Sequence, residues 1–288
     1  MLITMEKMLK IARNNNFAVG AFNICDSLLF KAVMTAAEKA DSPVIVQLIP
    51  DELRFVSDEF IYYVKEYIHH SKLPVVLHLD HGESFADCVH AIDCGFTSVM
   101  IDASRKSYED NIALTEKTVV YAHRRNVSVE AELGTIGVLD SSFEKGTENI
   151  IYTRPEDVTD FIEKTDCDSL AIAIGTSHGI YPKDCVPKLR IDLLKEINKV
   201  AVKPLVLHGG SANKDEEIAE ACKNGINKVN IASDYQKAFF DKLTDTLNEF
   251  HPYWTPEVYS EAIKSAKETV LHKMKLFDSI GKASLYRI

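Results

Sequence analysis

The sequence predicts a TIM (β/α)8 barrel, an α/β fold in a single domain spanning residues 1–288, with extra helical structure at the C-terminal end. Three observations predict it. Eight short β-branched runs alternate with amphipathic stretches along the chain. The runs are apolar on both faces rather than alternating, as in a parallel sheet covered by helices. Most runs end abruptly in a polar cluster, the pattern of a barrel that collects its functional groups at one rim. Eight such units in 288 residues are ordinary for one closed barrel. A doubly wound sheet is the competing architecture; it calls for a glycine-rich turn after the first strand, and none follows Phe22-Asn23.

The runs fall at 17–23, 44–48, 75–80, 98–102, 127–133, 169–174, 205–208 and 229–231. Helical periodicity fills the gaps at 28–40, 58–69, 85–94, 108–124, 155–164, 191–199, 215–222 and 235–248. Pro43, Pro74 and Pro204 sit just before strands, where a missing N–H breaks no ladder. Residues 256–277 read as a further helix or helix pair packed on the barrel rim or a neighbouring subunit.

Hydrophobic residues make up 46% of the chain, enough for a sizeable core, and the formal net charge is −10. An acidic chain is a poor nucleic-acid binder. It must hold any phosphate with local backbone amides or a metal. Residues 1–16 lack the apolar core of a signal peptide, and no run has the length of a membrane span. The six cysteines are scattered without CxxC spacing, which reads as reduced thiols in a cytoplasmic enzyme.

Three of the polar clusters carry histidine: Asp80-His81-Gly82, Ser177-His178-Gly179 and His208-Gly209-Gly210-Ser211. Imidazole is the commonest zinc ligand, and a catalytic zinc takes three protein ligands and an open position. His81, His178 and His208 therefore form a candidate metal set, against the simpler reading of each as a lone packed histidine. His78 lies deeper in its strand and reads as structural. Asp80, beside a ligand, is either a general acid/base or a partner orienting His81. Glu132 is either a metal contact or a hydrogen-bond partner, with Glu130 supporting it. Gly179, Gly209 and Gly210 permit close backbone approach, and Ser211 and Ser233 add hydroxyls to a candidate phosphate cradle.

The runs LDHG at 79–82, SVMIDAS at 98–104, EAELGTIG at 130–137, AIGTSHGIY at 173–181, LHGGS at 207–211 and NIAS at 230–233 resemble the class II ketose-bisphosphate aldolases, which include fructose- and tagatose-bisphosphate aldolases. The resemblance implies reversible cleavage of a ketose bisphosphate to dihydroxyacetone phosphate and an aldehyde such as glyceraldehyde 3-phosphate. It implies zinc on His81, His178 and His208, with Asp80 handling the proton of the C4 hydroxyl. It gives Asn230 to the enediolate, and Gly179, Gly209, Gly210, Ser211, Ala232 and Ser233 to the phosphate. Asn23 matches a substrate-contacting asparagine. A monovalent cation, Na+ or K+, is implied at backbone carbonyls near Ser177, Gly179, Gly209 and Ser211. So is a homodimer or homotetramer, with a basic residue such as Lys264, Lys267 or Lys273 at the far phosphate.

The chain departs from the family pattern in three places. The loop after the fifth strand reads Gly137-Val138-Leu139-Asp140-Ser141, so Asp140 stands where the family has its glutamate base, and Glu144 is a substitute. The second strand ends in Gln47-Leu48-Ile49-Pro50-Asp51-Glu52, where an apolar residue and two acids disfavour a second phosphate. This raises the alternative of a different ketose 1-phosphate as substrate. Ala232 leans toward tagatose-type members, and Ala212 replaces a common glycine. The altered loop also raises a non-catalytic sugar-phosphate-binding barrel. A Schiff-base aldolase needs a lysine inside the barrel; Lys203 and Lys228, read as preceding their strands, fall at the wrong face. A metal-dependent hydrolase lacks its His-x-His after the first strand.

Overall fold

The structure is a computed structural model that describes residues 1–135, 137–138, 150–178, 188–251 and 253–287; at 137–138 and 177–178 it describes the backbone. Helix α1 (Met5–Asn14) precedes β1 (Val19–Asn23), and there follow α2 (Ser27–Ala40), β2 (Val44–Leu48), α3 (Pro50–His70), β3 (Val75–Gly82), α4 (Phe85–Cys94), β4 (Ser98–Ile101), α5 (Tyr108–His123) and β5 (Ser128–Leu133). The second half runs through β6 (Gly137–Val138), α6 (Pro155–Thr165), β7 (Ser169–Ile172), β8 (Ser177–His178), α7 (Ile191–Val200), β9 (Leu205–Leu207), α8 (Asp215–Lys223), β10 (Ile226–Ile231), α9 (Ser233–Phe250) and α10 (Thr255–Leu276). Eight of the strands close a parallel barrel in the order β1-β2-β3-β4-β5-β7-β9-β10, and β10 pairs back to β1. The expected TIM barrel is what the chain forms. The short β6 and β8 pair separately, setting the backbone of Val138 beside that of His178.

Local chemistry starts the helices where the sequence supplies caps. Asp26 accepts from the amides of Leu28 and Leu29 at 2.6 and 2.7 Å and starts α2. Ser84 and Asp87 form a reciprocal capping box at α4, which ends on Gly95 in the left-handed conformation. The unforeseen α1 has Met5, Met8, Leu9 and Ala12 on its buried face. They pack with Val19, Ala21, Ile45, Val76, Ala171 and Val206 in one apolar cluster that closes the N-terminal end of the barrel.

Alternation along the strands then decides what points inward. Val76, His78 and Asp80 belong to one face of β3, Glu130 and Glu132 to one face of β5, and Lys228 and Asn230 to one face of β10. The interior thus changes from apolar at the α1 end to ionic in the middle and polar at the C-terminal rim.

Several boundaries differ from the sequence reading, and three differences bear on the architecture. The last barrel strand begins at Ile226, not 229, so Lys228 lies inside it with its side chain fully buried. Placing Lys228 at the wrong face was an error, caused by inward polar residues that break the apolar run. Helix α3 begins at Pro50, not 58, and bends at Ser57, whose φ of 62° and ψ of 168° are non-helical. The C-terminal stretch is one helix, α10, packed on α9 and α2, followed by a 3-10 turn at Lys282–Tyr286.

Candidate active site

A cavity of about 520 Å³ opens at the C-terminal rim of the strands, lined by Asn23, Asp80, His81, Gly209, Ser211, Asn230, Ala232 and Ser233 among others. All eight are residues that the sequence singled out for the metal, the reaction or the substrate. Asp80 and His81 are neighbours in sequence, and neighbours on a regular strand point to opposite faces. Here the β3–β4 register shifts between Leu79 and Gly82, and His81 takes a left-handed φ of 47°. That break lets both side chains reach the cavity.

Hydrogen bonds orient the two described histidines. The Nδ1 of His81 lies 2.9 Å from Asp102 Oδ2, and the Nε2 of His208 lies 2.8 Å from Glu130 Oε1. A carboxylate partner holds the proton on the nitrogen it faces, which assigns ligand duty to Nε2 of His81 and Nδ1 of His208. The two rings sit edge to face with centroids 4.6 Å apart. Asp80, His81 and His208 each offer a ligand atom within 4.8 Å of the others, as do His81, Asp102 and Glu132. Glu132 Oε2 is buried, 3.6 Å from His208 Nδ1, and has no hydrogen-bond partner among the described residues. Two imidazoles with fixed tautomers and a buried, under-satisfied carboxylate form a nitrogen–oxygen donor set suited to a divalent metal such as zinc.

The charges follow from burial and crowding. Burial pushes the His81 ring down, but the Asp80 charge, the Asp102 hydrogen bond and Glu132 outweigh it and raise the ring to about 9. Burial pushes Asp80 up, yet His81, Lys228, His208 and the Asn230 hydrogen bond hold it below the usual carboxylate range. Glu132 is pushed well up, first by burial and then by Asp102. Beneath them, Lys228 Nζ donates to both oxygens of Glu130 at 2.9 Å and lies 3.3 Å from His78 Nε2. His78, fully buried with Nδ1 2.9 Å from Ser98 Oγ, has its charged form disfavoured by burial and then by Lys228.

Asp80 is gripped from two sides. Asn230 Nδ2 donates to its oxygens at 3.0 and 3.1 Å, and Gln47 Nε2 donates to Oδ2 at 3.0 Å. Gln47 also donates to Asn23 Oδ1 at 3.0 Å, and Asn23 Nδ2 donates to Glu52 Oε2 at 2.8 Å. Gln47 escaped the sequence reading; its signal was an amide at an inward position near the end of an apolar run. Glu52 Oε2 also accepts from the Ile49 amide at 3.0 Å, closing the start of α3.

The opposite wall is built by β9, β10 and the start of α9. Gly209 has a φ of 60°, and a Cβ on Gly210 would lie 2.4 Å from Val229 Cγ1 and 2.8 Å from Asn230 O. Gly209 is thus favoured by its left-handed backbone and Gly210 by the close approach of β10. Ser211 Oγ accepts from the Ala232 amide at 3.2 Å. Asn213 Nδ2 donates to the carbonyls of Gly209 and Ser211 at 2.6 and 2.9 Å. Those two carbonyls are among those expected to face a monovalent cation, and each accepts one hydrogen bond from the Asn213 amide. Asp140, Glu144 and Gly179 lie outside the described residues, and of His178 only the backbone is described.

The chain matches, over residues 3–282, the family described as fructose-bisphosphate aldolase class-II. It is 39% identical over 287 residues to a fructose-bisphosphate aldolase of Staphylococcus aureus (strain Mu50), covering 98% of this chain and 99% of that one. It is 37% identical over 288 residues to the Geobacillus stearothermophilus fructose-bisphosphate aldolase, with the same coverage. Among solved structures, the YdjI aldolase from Escherichia coli K12 superposes with a TM-score of 0.87 at 34% identity, covering 98% of this chain and 100% of that one. The chain is thus an aldolase, a lyase belonging to the class II fructose-bisphosphate aldolase family, whose reaction is cleavage of a phosphorylated sugar, a ketose bisphosphate.

Proposed function

We propose that the chain is a zinc-dependent aldolase that splits a phosphorylated ketose into dihydroxyacetone phosphate and an aldehyde, with the bond broken at Asp80. The observation that carries this reading is the convergence of Asp80, His81 and His208, ligand atoms within 4.8 Å, beside a cavity that Asp80, His81 and Asn230 line. His81, His178 and His208 would hold the metal, with Glu132 as a further contact. Bound there, zinc would supply Lewis-acid polarisation of the substrate ketone.

The chain's own residues divide the remaining work. Asp80 takes the proton of the C4 hydroxyl as the bond breaks and returns it to the aldehyde oxygen in reverse. Its two amide donors, Gln47 and Asn230, keep it aimed. Asn230 contacts the enediolate half of the substrate. Gly209, Gly210, Ser211, Ala232 and Ser233 bind the phosphate, together with Gly179; the N-terminus of the 18-residue α9 adds its amide dipoles there. Asn23 contacts the aldehyde half. Asp140 in the fifth-strand loop exchanges the proton on the dihydroxyacetone-phosphate carbon.

The same reading makes the enzyme a cytoplasmic homodimer or homotetramer that binds neither nucleic acid nor membrane. The net charge of −10 supports the first exclusion. No described helix is long and apolar enough to cross a membrane. Exposed Phe240, Leu247, Phe250, Tyr253 and Trp254, along α9 and the turn after it, support self-association. The test is retro-aldol turnover with metal analysis, before and after chelation. Loss with zinc removal and return on re-addition is expected; full activity without metal overturns the assignment.

A further inference from the structure

The cavity has two unlike ends. One is made of backbone amides, Ser211, Ser233 and the start of α9; the carboxylate in that helix's first turn, Asp234, is tied to Lys273 at 2.6 Å and to the Ala212 amide at 2.9 Å. That end suits an anion. The other end is made by the start of α3 and the residue after β3, and it presents Ile49, Asp51, Glu52 and Glu83. Its one cation among the lining residues, Arg54, is already bonded to Asp51 and lies 4.0 Å from Asp87.

From this asymmetry we infer that the far end of the cavity selects substrates whose aldehyde half ends in hydroxyls rather than phosphate, and that Glu52 is the specificity-determining residue. The inference rests on the aldolase reading, because that reading fixes which half of the substrate lies where. The chain of contacts Asp80–Gln47–Asn23–Glu52 leads from the bond that breaks to the far end. The Glu52 carboxylate is fixed there by the Asn23 side chain and the Ile49 amide, so it cannot swing away without uncapping α3. A sugar hydroxyl can donate to it. A phosphate dianion either meets a fixed carboxylate or forces it to take up a proton, and both outcomes weaken binding.

The test uses the metal-loaded full chain in the condensation direction, which avoids assuming one sugar configuration. Dihydroxyacetone phosphate is offered with racemic glyceraldehyde or racemic glyceraldehyde 3-phosphate, and its consumption is followed. The wild type is expected to show the higher kcat/KM with glyceraldehyde. Glu52→Gln, which keeps an oxygen for the Ile49 amide, is expected to raise kcat/KM for the phosphorylated aldehyde about tenfold and to lower it for glyceraldehyde. If that variant does not fold, the exposed pair Asp51→Asn with Glu83→Gln should move the ratio the same way, about threefold. A purely capping Glu52 would change both aldehydes by one factor, which overturns the inference. So does a wild-type preference for the phosphorylated aldehyde, or its selective loss in Arg54→Ala, while the aldolase reading stands. No condensation with either aldehyde overturns both.

Discussion

His81 reaches the cavity only because its backbone is left-handed, and its protonation is set by what it finds there. The ring is raised from 6.5 to about 9, so in the metal-free protein its contribution to stability is full below 6.5 and is lost as pH rises through 9. Metal binding runs the other way, because the proton must leave first. Zinc affinity is therefore expected to climb about tenfold per pH unit and to level off near 9, measured by competition with a chelating dye. Lys228 sits below, buried and paired with Glu130. Lys228→Met strands that carboxylate and should cost about 3 kcal/mol in urea unfolding; Glu130→Gln added to it should recover part of the loss. A Lys228 variant with wild-type stability would show that the pair does not hold the barrel interior. The His81 and Asp80 positions were legible from residue type and spacing. Gln47 and Lys228 were not, because a polar residue that points into a barrel looks like an interruption of a strand, and Asn213 sits in the turn between β9 and α8.

Elements were legible wherever periodicity carried the signal. The bounds of α4 match the reading residue for residue, since Ser84, Asp87 and Gly95 mark both ends. Helix α1 was missed because it precedes the eight repeated units, and the helical spacing of Met5, Met8, Leu9 and Ala12 was its signal. The start of α3 was missed because Ser57 breaks the pattern; the signal was Pro50 in the first turn with Glu52 two residues on. Ser57 has the backbone of a glycine, so Ser57→Gly is expected to stabilise the protein by about 1 kcal/mol, read from thermal unfolding. A lower midpoint would mean that its side-chain contact with Glu59 outweighs the strain. The β9–β10 ends depend on Gly210. Gly210→Ala should push them apart and raise KM for phosphorylated substrate more than it lowers kcat, because the phosphate wall moves while Asp80 does not.

At the scale of the molecule, the barrel was legible because eight largely apolar runs alternate with amphipathic stretches, an arrangement that one closed parallel sheet accommodates. What no periodicity reveals is the relation of loops to the cavity, and the stretch carrying Asp140 belongs to that part. The exposed aromatic residues of α9 and the turn after it bear on assembly. Phe250, 65% exposed, and Trp254, 69% exposed, changed together to serine should shift the protein toward smaller species in sedimentation without loss of the fold. An unchanged profile would move the interface elsewhere. The central claim is that Asp80 performs proton transfer beside a histidine-held metal. Its most direct measurement is kcat of Asp80→Ala at matched zinc content. The account predicts a loss of at least about a hundredfold with zinc retained; an Asp80→Ala protein that keeps its zinc and turns over at the wild-type rate would contradict it.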